Sequence, residues 1–126
     1  MKKALVVRAA ALVLLAAAIA CRAGDEPIRV ACIGDSITFG AGVENRNVNH
    51  YPLVMNKLLG DKYVVKNFGV SGATLLKKGD KPYWKLKEFK DAGDFNPNSI
   101  VIKLGTNATK PQHWKNGAEF SGDLAA

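Results

Sequence analysis

Beyond residue 20 the apolar positions gather into three short clusters, 28–33 (IRVACI), 62–68 (KYVVKNF) and 99–104 (SIVIKL), whose starts lie 34 and 37 residues apart. Each is rich in β-branched side chains, which suit a pleated strand. Each also runs into a glycine-containing polar stretch: Gly34-Asp35-Ser36, Gly69-Val70-Ser71-Gly72 and Gly105-Thr106-Asn107. Strand, loop, helix and strand recurring at that period predict parallel βαβ units. Between the first two strands, Leu53, Val54, Leu58 and Leu59 take near-helical spacing over Tyr51–Leu59, with Gly60 placed to end the helix. Residues 83–89 predict a turn or two of helix, and Phe95-Asn96-Pro97-Asn98 a loop before the third strand.

A fourth apolar run differs in kind. Residues 9–20 are uninterruptedly apolar, follow the basic Lys2 and Lys3, and end in the small Ala18 and Ala20 ahead of Cys21. That arrangement predicts a secretory signal peptide over 1–20, since the run of 12 residues falls short of the roughly 20 that a spanning helix needs. Ala18-Ile19-Ala20 suits an ordinary signal peptidase, and Cys21 directly after the cut also resembles a lipidated cysteine; a chance thiol is the plain alternative. The expected location is therefore secreted or periplasmic, in a bacterium, with membrane contact only through the leader or a lipid at Cys21. Residues 21–27 read as a short linker and 28–126 as one domain.

Composition narrows the class. The 126 residues are 48% hydrophobic and 23% charged, which suits an ordinary globular chain. Lys2, Lys3 and Arg8 precede Cys21, so the rest carries 15 basic against 11 acidic residues, too mild a surplus for a nucleic-acid partner. Two cysteines make no disulfide framework, and Cys32, inside an apolar run, reads as a buried small hydrophobe. Residues 34–42 hold neither a GxGxxG pattern nor a phosphate-binding lysine, against a nucleotide site. No cofactor or metal-ligand spacing is evident.

In open parallel sheets ligands bind beyond the carboxyl ends of the strands, so the three polar loops should share one rim. Ser36 would begin a helix there, where free N–H groups and the helix dipole favour developing negative charge. Gly69 would let its own N–H approach a substrate, and Asn107 offers an amide donor. A serine with three converging donors is the minimum equipment for acyl transfer.

At these residues the chain resembles the SGNH or GDSL hydrolases. Gly34-Asp35-Ser36-Ile37-Thr38 is similar to that family's first block, Asn67-Phe68-Gly69-Val70-Ser71-Gly72 to its second and Gly105-Thr106-Asn107 to its third, a likeness covering about residues 28–115. The resemblance implies an α/β fold, a three-layer α/β/α flavodoxin-like parallel sheet, of which about three βα units, the N-terminal half, are present. It implies that Ser36 is the nucleophile and that Ser36 N–H, Gly69 N–H and the Asn107 side chain form the oxyanion hole, supported by Gly34 and Asp35. Two departures stand out. Ala108 follows Asn107 where the family commonly has Asp, and the D-x-x-H block is absent, because Asn47 and Lys110 stand three positions before His50 and His113. The expectation is an incomplete domain whose base and orienting carboxylate lie elsewhere, and a chain inactive by itself, since a serine hydroxyl needs an adjacent base.

The same residues have plainer readings. Ser36 could be a helix N-cap and Asp35 a turn former. Asn107-Ala108-Thr109 is a glycosylation sequon, which favours a bacterial source because a glycan would block the hole. His50 and His113 are expected in loops or on the surface, and Lys77, Lys78, Lys81, Lys85, Lys87 and Lys90 on a solvated face, with an acidic glycan contact as the lesser reading. The run 103–114, with the export signal, looks like the secreted carbohydrate-esterase branch, including sialate O-acetylesterase-like enzymes, with sugar deacetylation as the reaction. Trp84 and Trp114 are candidates for stacking on sugar or for ordinary packing. A lipase or lysophospholipase, or a non-catalytic carbohydrate-binding surface protein, are the alternatives.

Overall fold

A computed structural model describes residues 26–126. The expected leader and Cys21 lie outside the described residues. Three parallel strands, β1 (Ile28–Gly34), β2 (Tyr63–Gly69) and β3 (Ser99–Lys103), form one sheet in the order β2-β1-β3. The chain therefore leaves β1 toward one side and, after β2, crosses back over it to the other. Such a reversal opens a crevice at the carboxyl ends of the two strands it separates. Around the sheet lie α1 (Ser36–Phe39), α2 (Arg46–Asn49), α3 (Tyr51–Leu59), α4 (Lys87–Asp94), α5 (Pro111–Trp114) and α6 (Phe120–Ala125).

Side chains alternate across a strand, and β1 shows what each face meets. Ala31 and Ile33 pack with Ala73, Tyr83 and Ala92 of α4, backed by Phe68, Leu86 and Phe95. Cys32, on the other face, meets Tyr51 of α3. The result is a small parallel sheet flanked by helices, consistent with a three-layer α/β/α arrangement. Cys32 is fully buried, as its apolar neighbours suggested.

Helix α3 occupies the span its apolar spacing predicts. His50 caps its start, Pro52 sits in the first turn and Gly60, at φ 76°, ends it. Residues 83–89 differ from expectation. A short 3-10 turn, Tyr83–Lys85, gives way at Leu86 to the full helix α4, which runs to Asp94. Two i,i+4 pairs, Lys87 with Asp91 and Lys90 with Asp94, line its outer side, while Ala92 buries its inner side. The loop 95–98 forms as expected and is tied to β1, with Asn98 Oδ1 accepting the Arg29 N–H at 2.8 Å.

The third strand is exposed. Ile100 is 56% and Ile102 48% accessible, and an apolar cavity of about 450 Å³ opens between β3 and α4, lined by Ile33, Phe89, Ala92, Pro97 and Ile100.

Candidate active site

Backbone hydrogen bonds join the three polar loops at one rim. Val70 N–H donates to Gly34 O at 2.9 Å, and Asp35 N–H to Lys103 O at 3.2 Å. The Asn107 side-chain amide donates to Ala73 O at 3.0 Å, closing the third loop onto the second. All three sequence blocks thus meet beyond the carboxyl ends of the strands, with β1 between its neighbours.

Ser36 is the first residue of α1, and the cap is Asp35. Its Oδ1 accepts the Ile37 N–H at 2.9 Å, which satisfies one of the helix's free donors and fixes where the serine stands. The plainer reading of Ser36 as the cap is thereby replaced, because the preceding carboxylate performs that function. Ser36 is half-buried, and neither its N–H nor its hydroxyl has a partner among the described residues. Asp35 is fully buried, and its Oδ2 has no hydrogen-bond partner among the described residues.

Gly34 and Gly69 are small because α1 lies directly on the strand ends. A Cβ at Gly34 would sit 2.0 Å from Thr38 Oγ1 and 2.6 Å from Lys103 O; one at Gly69 would sit 2.2 Å from Phe39 N. Asn67 completes the seam, its Nδ2 donating to Thr38 O and its Oδ1 accepting the Gly69 N–H, both at 2.8 Å. The Gly69 N–H is therefore engaged inside its own block rather than open to a substrate. Three residues on, Gly72 holds φ +82° in a turn closed by Ala73 N–H on Val70 O, and its own N–H has no partner among the described residues. The pattern of the second block contains both glycines; only the side-chain geometry of Asn67 tells them apart.

Beneath the rim is an uncharged floor. The Tyr51 and Thr38 hydroxyls are 3.1 Å apart, and Cys32 lies beside Tyr51. Burial pushes both the Cys32 thiol and the Tyr51 phenol above their ordinary pKa, against the lowering effect of Tyr51 on the thiol and of the Thr38 hydrogen bond on the phenol, so both stay protonated near neutrality. Ala108 is completely buried, so the position carries no polar group needing a partner. Asn107, 6% accessible and hydrogen-bonded, is closed to glycan attachment in the folded chain.

The histidines serve other ends. His50 caps α3, its Nδ1 accepting the Leu53 N–H at 3.2 Å; burial, then Arg46 and Lys57, lower its pKa against a backbone contact that raises it. His113 corrects the surface expectation: it is 4% accessible, with Nε2 3.1 Å from Asp80 Oδ2. A contact across 33 residues of sequence leaves no local pattern by which to anticipate it. Neither histidine hydrogen-bonds Ser36.

The lysine-rich stretch is occupied locally. Lys78 pairs with Glu119 at 2.6 Å, Lys81 Nζ donates to Ser71 O at 3.1 Å, and Lys87 and Lys90 pair within α4. Trp84 is a packing residue, with Nε1 donating to Leu75 O at 2.7 Å and its ring edge-on to Phe89. Among the described residues no three His, Cys, Asp or Glu side chains gather as a metal site.

Comparison with known proteins points the same way. The model of the GDSL-like lipase/acylhydrolase family matches residues 32–121. Over 100 residues the chain is 53% identical to an acetylxylan esterase of the bacterium Xylanibacter ruminicola. That match takes in 79% of this chain and 21% of the relative, so the chain spans about a fifth of that protein's length. The relative supports a bacterial origin. No solved structure matches.

Proposed function

Since the chain belongs to the GDSL-like lipase/acylhydrolase family, we propose that it is the nucleophile-bearing part of a secreted ester hydrolase that removes acetyl groups from sugars of a polysaccharide such as xylan. The observation that carries this reading is the junction of the three loops around Ser36, whose N–H and hydroxyl are uncommitted at a helix start. The domain is the N-terminal half of a flavodoxin-like three-layer sheet, and its exported form is soluble or anchored by lipid on Cys21.

In this reading Ser36 Oγ attacks the acetyl carbonyl. The new C–O bond forms as the hydroxyl proton passes to a base, and the tetrahedral oxyanion is held by N–H donors of the three loops. The base returns the proton to the departing sugar hydroxyl, and water then releases acetate from the serine. We assign the donors to Ser36 N–H, the Asn107 amide and one N–H of the second block. Gly69 fills that last role only if Asn67 Oδ1 releases its N–H, whereas Gly72 has its N–H ready. Asn107 likewise exchanges Ala73 O for the oxyanion. We assign the base and its carboxylate to a part of the longer protein outside these residues, because neither His50 nor His113 hydrogen-bonds Ser36.

The test uses the complete gene product on acetylated xylan. Ser36→Ala is expected to lower turnover by about four to six orders of magnitude, and Asn107→Ala by about two to three, with unfolding curves unchanged in slope. Wild-type turnover in Ser36→Ala would reject the reading.

A further inference from the structure

We propose that Trp114 is a stacking platform for a sugar ring of the polymeric substrate. The proposal rests on the esterase reading for the identity of the polymer, and on the setting of the indole for everything else.

The two tryptophans described differ in every respect that governs ligand binding. Trp84 has spent its N–H on Leu75 O and its ring on Phe89 at 5.4 Å. Trp114 is 53% accessible, and its indole N–H has no partner among the described residues. Gly117 lies against its ring. A Cβ there would lie 2.9 Å from both Cδ2 and Cε2 and 3.0 Å from Cε3, so any side chain at 117 would crowd the indole. About half of the residue is left to solvent.

The backbone that carries the ring is also fixed in place. The Trp114 backbone N–H donates to Lys110 O and Asn116 N–H to His113 O, both at 2.9 Å, while the neighbouring His113 is buried against Asp80. A platform ordered beforehand loses little freedom on binding. Lys110 N–H donates to Asn107 O, so two successive hydrogen-bonded turns join Asn107 to Trp114. A polymeric substrate is long enough to reach from one to the other.

The surroundings select the ligand. Gln112, Lys115 and Asn116 flank Trp114 in the sequence, and no acidic residue lies between 105 and 118. A lone aromatic face among polar groups does not suit an acyl chain or a protein partner, both of which need continuous apolar surface. It suits a pyranose, whose C–H face stacks on the ring while its hydroxyls meet the indole N–H and the polar surroundings.

The experiment titrates a xylo-oligosaccharide lacking acetyl groups into the complete protein, by calorimetry and tryptophan fluorescence, and in parallel measures hydrolysis of acetylated xylan and of 4-nitrophenyl acetate. Trp114→Ala should weaken oligosaccharide binding and raise KM for the polymer about tenfold, as loss of an aromatic stack implies. It should leave the small ester untouched. Trp114→Phe should recover most of the affinity, which separates stacking from a folding defect. Equal affinity in wild type and Trp114→Ala, no binding by wild type, or equal damage to the small ester would overturn the proposal. Trp114-dependent binding in a protein whose Ser36→Ala variant hydrolyses normally would instead reject the Ser36 assignment and leave the platform standing.

Discussion

Strands β1 and β3 lie side by side in register, Ile33 opposite Ile102, and both are runs of β-branched and small apolar residues. Yet Ile33 is 5% and Ile102 48% accessible. The difference is one of neighbours. Among the described residues β1 has a strand on each side and a helix against each face, whereas β3 has β1 alone and an open edge. Composition decides that a segment becomes a strand; its rank in the sheet and the cover above it decide how much each side chain contributes. An unpaired edge also offers free N–H and C=O groups to further chain.

The largest contrast should appear when the same atoms are removed from both strands. Ile33→Ala is expected to cost about 2 to 5 kcal/mol, since it empties space inside the core cluster. Ile102→Ala should cost no more than about 1 kcal/mol. Urea unfolding of the 126-residue chain measures both. Equal costs would break the comparison and mean that Ile102 packs in solution as Ile33 does.

The strands and α3 were legible in the sequence because their signals are local: β-branched runs ended by glycine, and apolar residues at helical spacing before Gly60. The positions of Ser36 and Asn107 at the rim follow from the same logic, since a loop after a parallel strand has one end of the sheet to occupy. What escaped depends on side-chain geometry that no hydrophobic period carries, whether the partner is near or distant in sequence. The burial of His113 comes from Asp80, the division between a packing and an exposed tryptophan from Leu75, Phe89 and Gly117, and the engagement of Gly69 N–H from the rotamer of Asn67. Helix α4 was underestimated because its charged face hides the small inward surface at Ala92.

A smaller effect should come from the rim, where β1 and β3 are joined as tightly as they are loose along the flank. A methyl group at Gly34 meets the Thr38 hydroxyl and the Lys103 carbonyl, the second being backbone of β3. Gly34→Ala should therefore cost about 1 to 3 kcal/mol by overpacking and, by tilting α1, lower turnover more than it alters KM. Stability and kinetics unchanged from wild type would show that the two strands are not pinned there.

The smallest effect acts on the cover of the sheet rather than on a strand. Helix α3 lies against β2 and supplies Tyr51 to the floor under β1, and its first turn depends on His50 Nδ1 accepting the Leu53 N–H. That nitrogen accepts only when it carries no proton. Burial first, then Arg46 and Lys57, hold the imidazole below its ordinary pKa, so the folded chain binds fewer protons than the unfolded one between the lowered value and about 6.5. Stability from this group is complete above that window, falls as the pH drops through it and is level below. His50→Asn keeps a capping acceptor without a titrating proton, so its melting temperature should fall less than that of the wild type between about pH 7.5 and about pH 5.5. The His113 and Asp80 contact is common to both proteins and cancels from the difference. Identical pH slopes would mean that the cap is not what keeps α3 seated on the sheet.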